Sequence, residues 1–226
     1  MTRALICEDG PQTSEEAADI IRRGGVIAFR TDTFYGLGAD PLNPDAVRKI
    51  RELKGRRDDK PILVLISDRS ELKRFTSEAT EPNEPGEPDQ PIKSGEANLT
   101  FQKAVQLYWP GPLTLVVRAR AVLPEELTAG TATIGLRLPA DERVRKLLRA
   151  CGGALTATSA NVSGHAPACS AQQVQSYFSE GLDLIVDGGT ADSSAPSTVL
   201  DVTGPQPRVI RRGVITESEL APLLSP

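Results

Sequence analysis

Lys54-Gly55-Arg56-Arg57-Asp58-Asp59-Lys60-Pro61-Ile62-Leu63-Val64-Leu65-Ile66 is a cationic loop that runs straight into a short apolar segment. Five consecutive aliphatic residues, bounded by turn and polar residues, predict a buried strand over 62–66 with Pro61 at its start. A charge run by itself is ordinarily a solvated helix face. Charges packed immediately ahead of a buried strand sit instead at a sheet end, where open α/β sheets place their ligand crevices. A second loop, Ser159-Ala160-Asn161-Val162-Ser163-Gly164, is small and polar. Dense cations paired with small polar groups suit a polyphosphate. No G-x-x-x-x-G-K-[ST] pattern is present, so such a ligand would be held without a P-loop.

Upstream of the cationic loop, Thr13-Ser14-Glu15-Glu16 has the form of a capping box, Ala17, Ile20 and Ile21 follow at helical spacing, and Gly24-Gly25 stops the helix. Val26–Phe29 reads as a strand, 30–38 as a loop, and Pro44 opens a helix through Ile50 and Leu53. Downstream, helices are predicted around Ser70–Phe75, Thr100–Tyr108, Asp141–Ala150 and Ser170–Phe178. Strands are predicted over Leu113–Val117, Thr133–Leu138, Ala154–Ala157, Leu184–Val186, Thr198–Val202 and Val209–Ile210. This irregular alternation, with no repeat of 20–50 residues, predicts one α/β domain over 1–226 on a twisted, mixed sheet.

The composition is that of a soluble globular protein: 226 residues, 39% hydrophobic and 25% charged. No apolar stretch approaches the roughly 18–20 residues of a membrane span, and the N-terminus lacks a signal-peptide apolar region, so a cytoplasmic protein is expected. Cys7, Cys151 and Cys169 are odd in number and widely spaced, which fits reduced thiols. His165 is the single histidine, so a His-rich zinc site is excluded, and it reads as a surface-loop residue. Residues 78–98 carry Glu78, Glu81, Glu84, Glu87, Asp89 and Glu96 against Lys93 alone, a balance of −5 within a chain total of −4. With Pro82, Pro85, Pro88 and Pro91 and little apolar content, they read as a flexible acidic insertion, a lid or passive surface loop rather than a domain linker.

Several polar groups follow or flank the predicted strands: Thr31, Asp32, Thr33 and Tyr35; Ser159 and Asn161; Ser197 and Thr198; Arg211 and Arg212. Each alone is ordinary turn chemistry. Together with Lys54, Arg56 and Lys60 they point to a crevice at strand ends. Trp109 beside Pro110-Gly111-Pro112 reads as a core anchor, and Asp187 before Gly188-Gly189 as either a turn residue or a magnesium-orienting group.

Seven stretches occur in order: Thr31-Asp32-Thr33-Phe34-Tyr35-Gly36-Leu37-Gly38, Lys54-Gly55-Arg56 through Lys60-Pro61, Trp109-Pro110-Gly111-Pro112-Leu113-Thr114, Gly135-Leu136-Arg137-Leu138-Pro139, Ser159-Ala160-Asn161-Val162-Ser163-Gly164, Asp187-Gly188-Gly189 and Ser197-Thr198-Val199-Leu200-Asp201. This ordered set resembles the YrdC-type threonylcarbamoyl-AMP synthases, over nearly the whole chain. The resemblance implies a single YrdC-like domain with an open, strongly twisted mixed sheet flanked by helices. It implies a reaction in which L-threonine, bicarbonate and ATP give threonylcarbamoyl-AMP and pyrophosphate. Magnesium is expected to enter on the ATP phosphates, with no metal site of the protein's own. A downstream tRNA threonylcarbamoyl-transferase complex would use the product.

By the same resemblance Lys54 and Arg56 are the expected catalytic groups. Arg56, Lys60, Thr133, Ser159, Asn161 and Arg211 are expected on ATP, and Thr33, Tyr35, Arg137 and Ser197 on threonine. A planar guanidinium such as Arg137 suits a carboxylate because it bonds both oxygens.

The chain departs from the family pattern in four places. Arg30 stands where proline usually precedes the first threonine, Ala166-Pro167-Ala168-Cys169 replaces a loop richer in Ser and Thr, the 78–98 insertion is atypical, and the sequence stops soon after Arg211-Arg212-Gly213. The alternative function is a double-stranded RNA-binding module without catalysis. The basic stretch from Arg48 to Lys60 would serve it electrostatically, and the 4% aromatic content argues against it. A related O-carbamoyltransferase domain is a third reading, but those domains are usually fused to partners that this sequence lacks.

Overall fold

The computed structural model describes residues 4–55, 60–77, 96–162, 164–191 and 195–224. The cationic run 56–59, with Arg56, lies outside them, as does most of the acidic 78–98 stretch; its last three residues already belong to a helix. The elements run β1 (Leu5–Glu8), α1 (Pro11–Arg22), β2 (Ile27–Arg30), β3 (Tyr35–Gly38), α2 (Pro44–Leu53), β4 (Val64–Ile66), α3 (Glu96–Tyr108), β5 (Leu113–Arg118), α4 (Glu125–Thr128), β6 (Thr133–Arg137), α5 (Glu142–Ala150), β7 (Ala154–Thr156), β8 (Thr158–Ser159), α6 (Ala171–Tyr177), β9 (Leu184–Asp187), β10 (Thr198–Asp201), β11 (Arg208–Arg211) and α7 (Ala221–Leu224). A short 3-10 helix, Arg69–Arg74, stands where a helix was expected after β4.

The strands form two sheets. One has the order β1-β9-β2-β3-β8 and the other β11-β10-β5-β6-β4-β7. Both are mixed: β9 runs parallel to β1 and β2, whereas β3 is antiparallel to β2 and β8. In the second sheet β5–β10 and β4–β6 are parallel, and β5–β6, β4–β7 and β10–β11 antiparallel. The α/β class is as expected, with its strands divided between two mixed sheets.

Burial on both faces explains why the central strands read as unbroken apolar runs. Ile27, Phe29, Leu65, Leu155, Leu184 and Val186 pack under α1 and α5 with Ala17, Ile20, Ile21, Val144, Leu147 and Leu148. Their strand neighbours Ala28, Val64, Ile66, Ala154 and Ile185 point into the other, larger core. α2 and α5 follow the capping rules: Asn43 accepts from Asp45 N and Ala46 N ahead of Pro44, and Asp141 accepts from Arg143 N. α1 does not. It begins at Pro11 after Gly10, and Thr13 lies inside it, its hydroxyl bonding Glu8 O at 2.6 Å, so the Thr13–Glu16 capping box is not formed.

Two strands, β3 and β8, escape the sequence reading, each for its own reason. The 30–38 segment holds β3, whose glycines hid it. Gly38 packs so closely on β2 that a Cβ there would come within 2.7 Å of the Phe29 ring. The predicted 154–157 strand is β7, which pairs with β4 in the second sheet, and the unpredicted β8 follows it, pairing with β3 in the first. The chain therefore crosses between sheets at Ala157, where Thr156 Oγ1 accepts from Ala39 N at 2.9 Å and donates to Leu37 O at 3.2 Å. The Ser159 loop leaves from this junction.

Candidate active site

α2 ends at Lys54, which the fold turns inward. It is 2% exposed, and its ammonium donates to the Ser159 carbonyl, with Ser159 Oγ at 3.4 Å and Asn161 Oδ1 at 3.5 Å. Asn161 is held for this by its amide, which donates to Val162 O (3.0 Å) and His165 O (2.8 Å). Ala160 N bonds Tyr35 O at 2.8 Å, fastening the loop to β3. Three of the sequence-predicted residues, Lys54, Ser159 and Asn161, thus form one cluster.

A second cluster gathers at the ends of β6, β10 and β11. Arg137, the last residue of β6, is 2% exposed; its Nε donates to Gly111 O at 3.0 Å and its Nη2 is in ionic contact with Asp32 Oδ1. The two atoms are each other's partner, and neither bonds a further group among the described residues. Burial pulls the Arg137 pKa below the usual guanidinium range, and the neighbouring Asp32 opposes that. Ser197, just before β10, shares a 2.9 Å hydrogen bond with Thr114 of β5. Arg211, at the end of β11, donates to Ser197 O (3.0 Å) and Ser197 Oγ (2.9 Å). Its pKa is lowered by burial and by the nearby Arg137 charge.

The Trp109–Thr114 segment carries this cluster. Trp109 is buried, its indole N–H bonding Leu113 O at 2.7 Å, which fits a core anchor. Gly111 approaches Tyr108 O so closely that a Cβ would lie 2.4 Å from it. That approach sets the carbonyl that Arg137 uses.

The three hydroxyls of the 31–35 loop differ sharply. Thr31 Oγ1 donates to Phe34 O at 2.7 Å and accepts from Thr33 N at 3.2 Å, closing a local turn. The Tyr35 hydroxyl donates to Gly189 O at 2.7 Å and lies 3.1 Å from Asp187 Oδ1; burial and that carboxylate push its pKa up. Among the described residues the Thr33 hydroxyl has one contact, 3.2 Å from Thr31 Oγ1, in which Thr33 is the donor because the Thr31 proton is on Phe34 O. Its acceptor capacity is therefore open.

Asp187 also accepts from Gly189 N at 2.9 Å, a turn role. Arg30 is tied to Asp141 Oδ2 (2.9 Å) and Thr190 O (3.1 Å), so its guanidinium braces the N-terminus of α5. The 166–169 departure is held by backbone: Ala168 O accepts from Tyr35 N and Cys169 O from Ala191 N.

Two expected residues stand apart from these clusters. Thr133 begins β6, four residues and about 13 Å along the strand from Arg137. Its hydroxyl bonds Thr131 Oγ1 at 2.9 Å in an exposed position. Lys60 is exposed, and its carbonyl accepts from Arg51 Nη2 at 3.2 Å. Thr114 is the member that residue-by-residue reading passed over, its signal being its position within an ordered motif; Asp32 was counted among the polar groups of the crevice but given no ligand role. A small, partly open cavity of ≈ 10 Å³, room for about one water, lies elsewhere, under α5, lined by residues including Asp9, Arg30, Asp141 and Arg143. Among the described residues no three His, Cys, Asp or Glu side chains gather as a metal cage, and no helix is long and apolar enough to cross a membrane.

Comparisons with known proteins converge on this region. The Sua5/YciO/YrdC family, described as "Telomere recombination", matches residues 19–213. The chain is similar to the threonylcarbamoyl-AMP synthase of Pyrococcus abyssi, 35% identical over 204 residues, 90% of this chain and 55% of that protein. It is similar to the threonylcarbamoyl-AMP synthase of Thiobacillus denitrificans, 37% identical over 182 residues, 80% of this chain and 87% of that one. Among solved structures, that of P. abyssi Sua5 complexed with L-threonine superposes with a TM-score of 0.83 at 31% identity, covering 100% of this chain and 61% of that one. This chain spans somewhat over half the length of the P. abyssi and Bacillus subtilis relatives, at 55% and 57%. With residues 19–213 matched by the family and a relative of 37% identity covered over 87% of its length, the chain belongs to the Sua5/YciO/YrdC family.

Proposed function

We propose that this protein is an L-threonylcarbamoyladenylate synthase, a nucleotidyltransferase that makes threonylcarbamoyl-AMP and pyrophosphate from L-threonine, bicarbonate and ATP. The observation that carries the reading is the pair of buried cations, Lys54 and Arg137, each held in a loop cluster of small polar groups. That a relative of 31% identity and the same fold has been solved complexed with L-threonine supports the amino-acid half of the reading.

The chemistry requires positioning more than a side-chain nucleophile. The threonine nitrogen, as the neutral amine, adds to the carbon of carbon dioxide with loss of a proton, or of bicarbonate with loss of water, to give a carbamate. A carbamate oxygen then attacks the α-phosphorus, and the bond to pyrophosphate breaks. Lys54 and Arg56 would offset charge on the phosphates, with Lys60, Thr133, Ser159, Asn161 and Arg211 binding ATP. Arg137 would take the threonine carboxylate, with Thr33 and Ser197 nearby. Tyr35 would act by fixing the loop, since its hydroxyl already bonds Gly189 O. ATP would enter as its magnesium complex, the ion held by phosphate oxygens. The product would feed tRNA modification by a separate transferase complex in the cytoplasm.

The test is pyrophosphate release by the purified protein with MgATP and bicarbonate, with and without L-threonine, alongside mass spectrometry for the adenylate. Threonine-dependent release with the adenylate detected is the expected result. Folded protein that stays silent in both measurements overturns the assignment and moves the weight to RNA binding.

A further inference from the structure

The chain leaves α2 at Lys54 and enters β4 after Lys60, and a residue of α2 holds the far end of that connection. Arg51, in the last turn of α2, is half-buried; its Nε donates to Glu126 O of α4 at 2.8 Å and its Nη2 to Lys60 O at 3.2 Å. Lys54 anchors the near end on the Ser159 carbonyl, and Gly55, at a φ of +61°, turns the chain out of the helix. Both ends of the connection are thus tied to the final turn of one helix.

Lys60 is fixed by groups other than its own side chain. Arg51 holds its carbonyl, and Pro61 restricts its backbone to extended conformations. Ile62 N then bonds the carbonyl of the buried Leu127 in α4 at 3.0 Å. The Lys60 side chain is exposed, and a lysine ammonium on a flexible stem is a point charge whose reach depends on where its backbone stands. A guanidinium suits the part of Arg51, because a planar group can donate through two nitrogens to carbonyls of two different elements.

We propose that Arg51 is a positioning residue for ATP binding: anchored on α4, it grips the Lys60 carbonyl and so sets the Lys60 ammonium to meet the ATP phosphates. The inference rests on the synthase reading above, which puts Lys60 on ATP, and gives Arg51 a part that acts through Lys60. Arg48, one turn earlier on α2, is the internal comparison. It also reaches α4, through Glu126 Oε1 at 2.8 Å, and its other ion pair is with Asp45 of its own helix. Arg48 therefore shares the charge of Arg51 and its contact with α4, and differs in the grip on Lys60.

The experiment is a double-mutant cycle on MgATP affinity. Wild-type protein, Arg51→Met, Lys60→Ala and the double variant are compared by calorimetric titration, with Arg48→Met alongside and a thermal melt on each. Lys60→Ala removes the ammonium and keeps the carbonyl that Arg51 grips. It is expected to weaken MgATP binding about 10-fold, the size of one charge-assisted contact, and Arg51→Met about 5-fold. Independent effects would multiply to about 50-fold, whereas action through Lys60 leaves the double variant within about 2-fold of Lys60→Ala. Arg48→Met should stay within about 2-fold of wild type, as exposed ion pairs contribute little. In turnover, Arg51→Met should raise KM for ATP and leave KM for L-threonine unchanged, a split that loss of folded protein would not produce.

Effects that multiply overturn the proposal and leave the synthase reading standing, as does unchanged MgATP affinity in Arg51→Met or in Lys60→Ala. A loss in Arg48→Met equal to that in Arg51→Met makes the effect one of net charge and overturns it too. If Arg51→Met fails to fold, Arg51→Lys, which keeps the charge, takes its place in the cycle; if neither folds, Arg51 belongs to the framework and the proposal falls. Coupled variants of a protein that releases no pyrophosphate would remove the synthase reading and keep the positioning of Lys60 for ATP. Wild-type protein that binds no MgATP overturns both readings together.

Discussion

Arg211 grips Ser197 twice, its Nη2 lying 3.0 Å from the carbonyl oxygen and 2.9 Å from the hydroxyl, and so joins the end of β11 to the residue that opens β10. Its Nε donates to the same carbonyl at 3.2 Å, so two nitrogens of one planar group share that oxygen, which a single ammonium cannot reproduce. Arg211→Lys is therefore expected to lower kcat/KM for ATP about 10-fold, and Arg211→Ala by about 10–100-fold, from the roughly 1.5–3 kcal/mol of a charge-assisted contact. Steady-state kinetics at saturating threonine checks it; wild-type kinetics in both variants would remove Arg211 from the site.

The same junction constrains Gly213. A Cβ there would come within 2.2 Å of Pro196 O and 2.6 Å of Thr198 N, both backbone atoms that have no rotamer to yield. Gly213→Ala should destabilise the protein by about 1–3 kcal/mol in urea denaturation. It should also displace Ser197, so activity should fall further than the loss of folded protein explains.

Lys54 and Arg137 are the two buried cations among the described residues of the site, and they should respond differently to removal. Lys54→Met keeps the bulk and removes the donor to Ser159 and Asn161, with about 1–3 kcal/mol of stability and most turnover lost. Arg137→Ala leaves Asp32 without its counter-charge, which for a fully buried pair costs about 3–5 kcal/mol. Asp32 retains some solvent, so the lower end is expected. Adding Asp32→Asn to Arg137→Ala should recover part of that loss. A double variant no more stable than Arg137→Ala would show that the pair is not the source of the cost.

Tyr35→Phe separates scaffold from ligand contact. It removes the hydrogen bond to Gly189 O and the contact with Asp187, at about 1 kcal/mol of stability. KM for threonine should stay within about 2-fold of wild type, well under the cost of a lost charge-assisted bond. A large rise in KM without loss of stability would instead place the hydroxyl on the substrate.

Asp9 gives the pH dependence its sign. Burial, more than any other cause, raises its carboxyl pKa; Arg143 and Arg30 pull it down and Asp141 pushes it up. A carboxyl with a folded-state pKa above its unfolded value of about 3.9 is held more readily as the neutral acid by the native state. Its contribution is thus present at low pH and lost as pH rises through the folded pKa. Asp9→Asn should raise the melting temperature at pH 7, and the gain should vanish near pH 3, where both states are protonated. An equal gain at both pH values would point to packing rather than ionisation.

Much of the architecture was legible in local pattern. The 62–66 run held a buried strand, Val64–Ile66, and the Asp141–Ala150 pattern gave α5 with its cap. β1 escaped because four residues at a sheet edge, with Leu5 exposed, carry little periodicity. β3 escaped because glycine, which marks turns in a sequence, here permits close strand packing. The ordered motifs carried the family, and with it the expectation that Lys54, Ser159 and Asn161 serve one site.

Local pattern suffices for the α/β class, the amphipathic helices and the polar loops at strand ends, because periodicity and caps act over a few residues of chain. The crossing of the Ala154–Ser159 segment between two sheets, the bond from the Tyr35 hydroxyl to Gly189 O and the meeting of Arg137 with Asp32 emerge from the folded chain alone. Each of these depends on groups brought together from distant parts of the chain. Their partners are fixed by the packing of both sheets into one core, which no local pattern encodes.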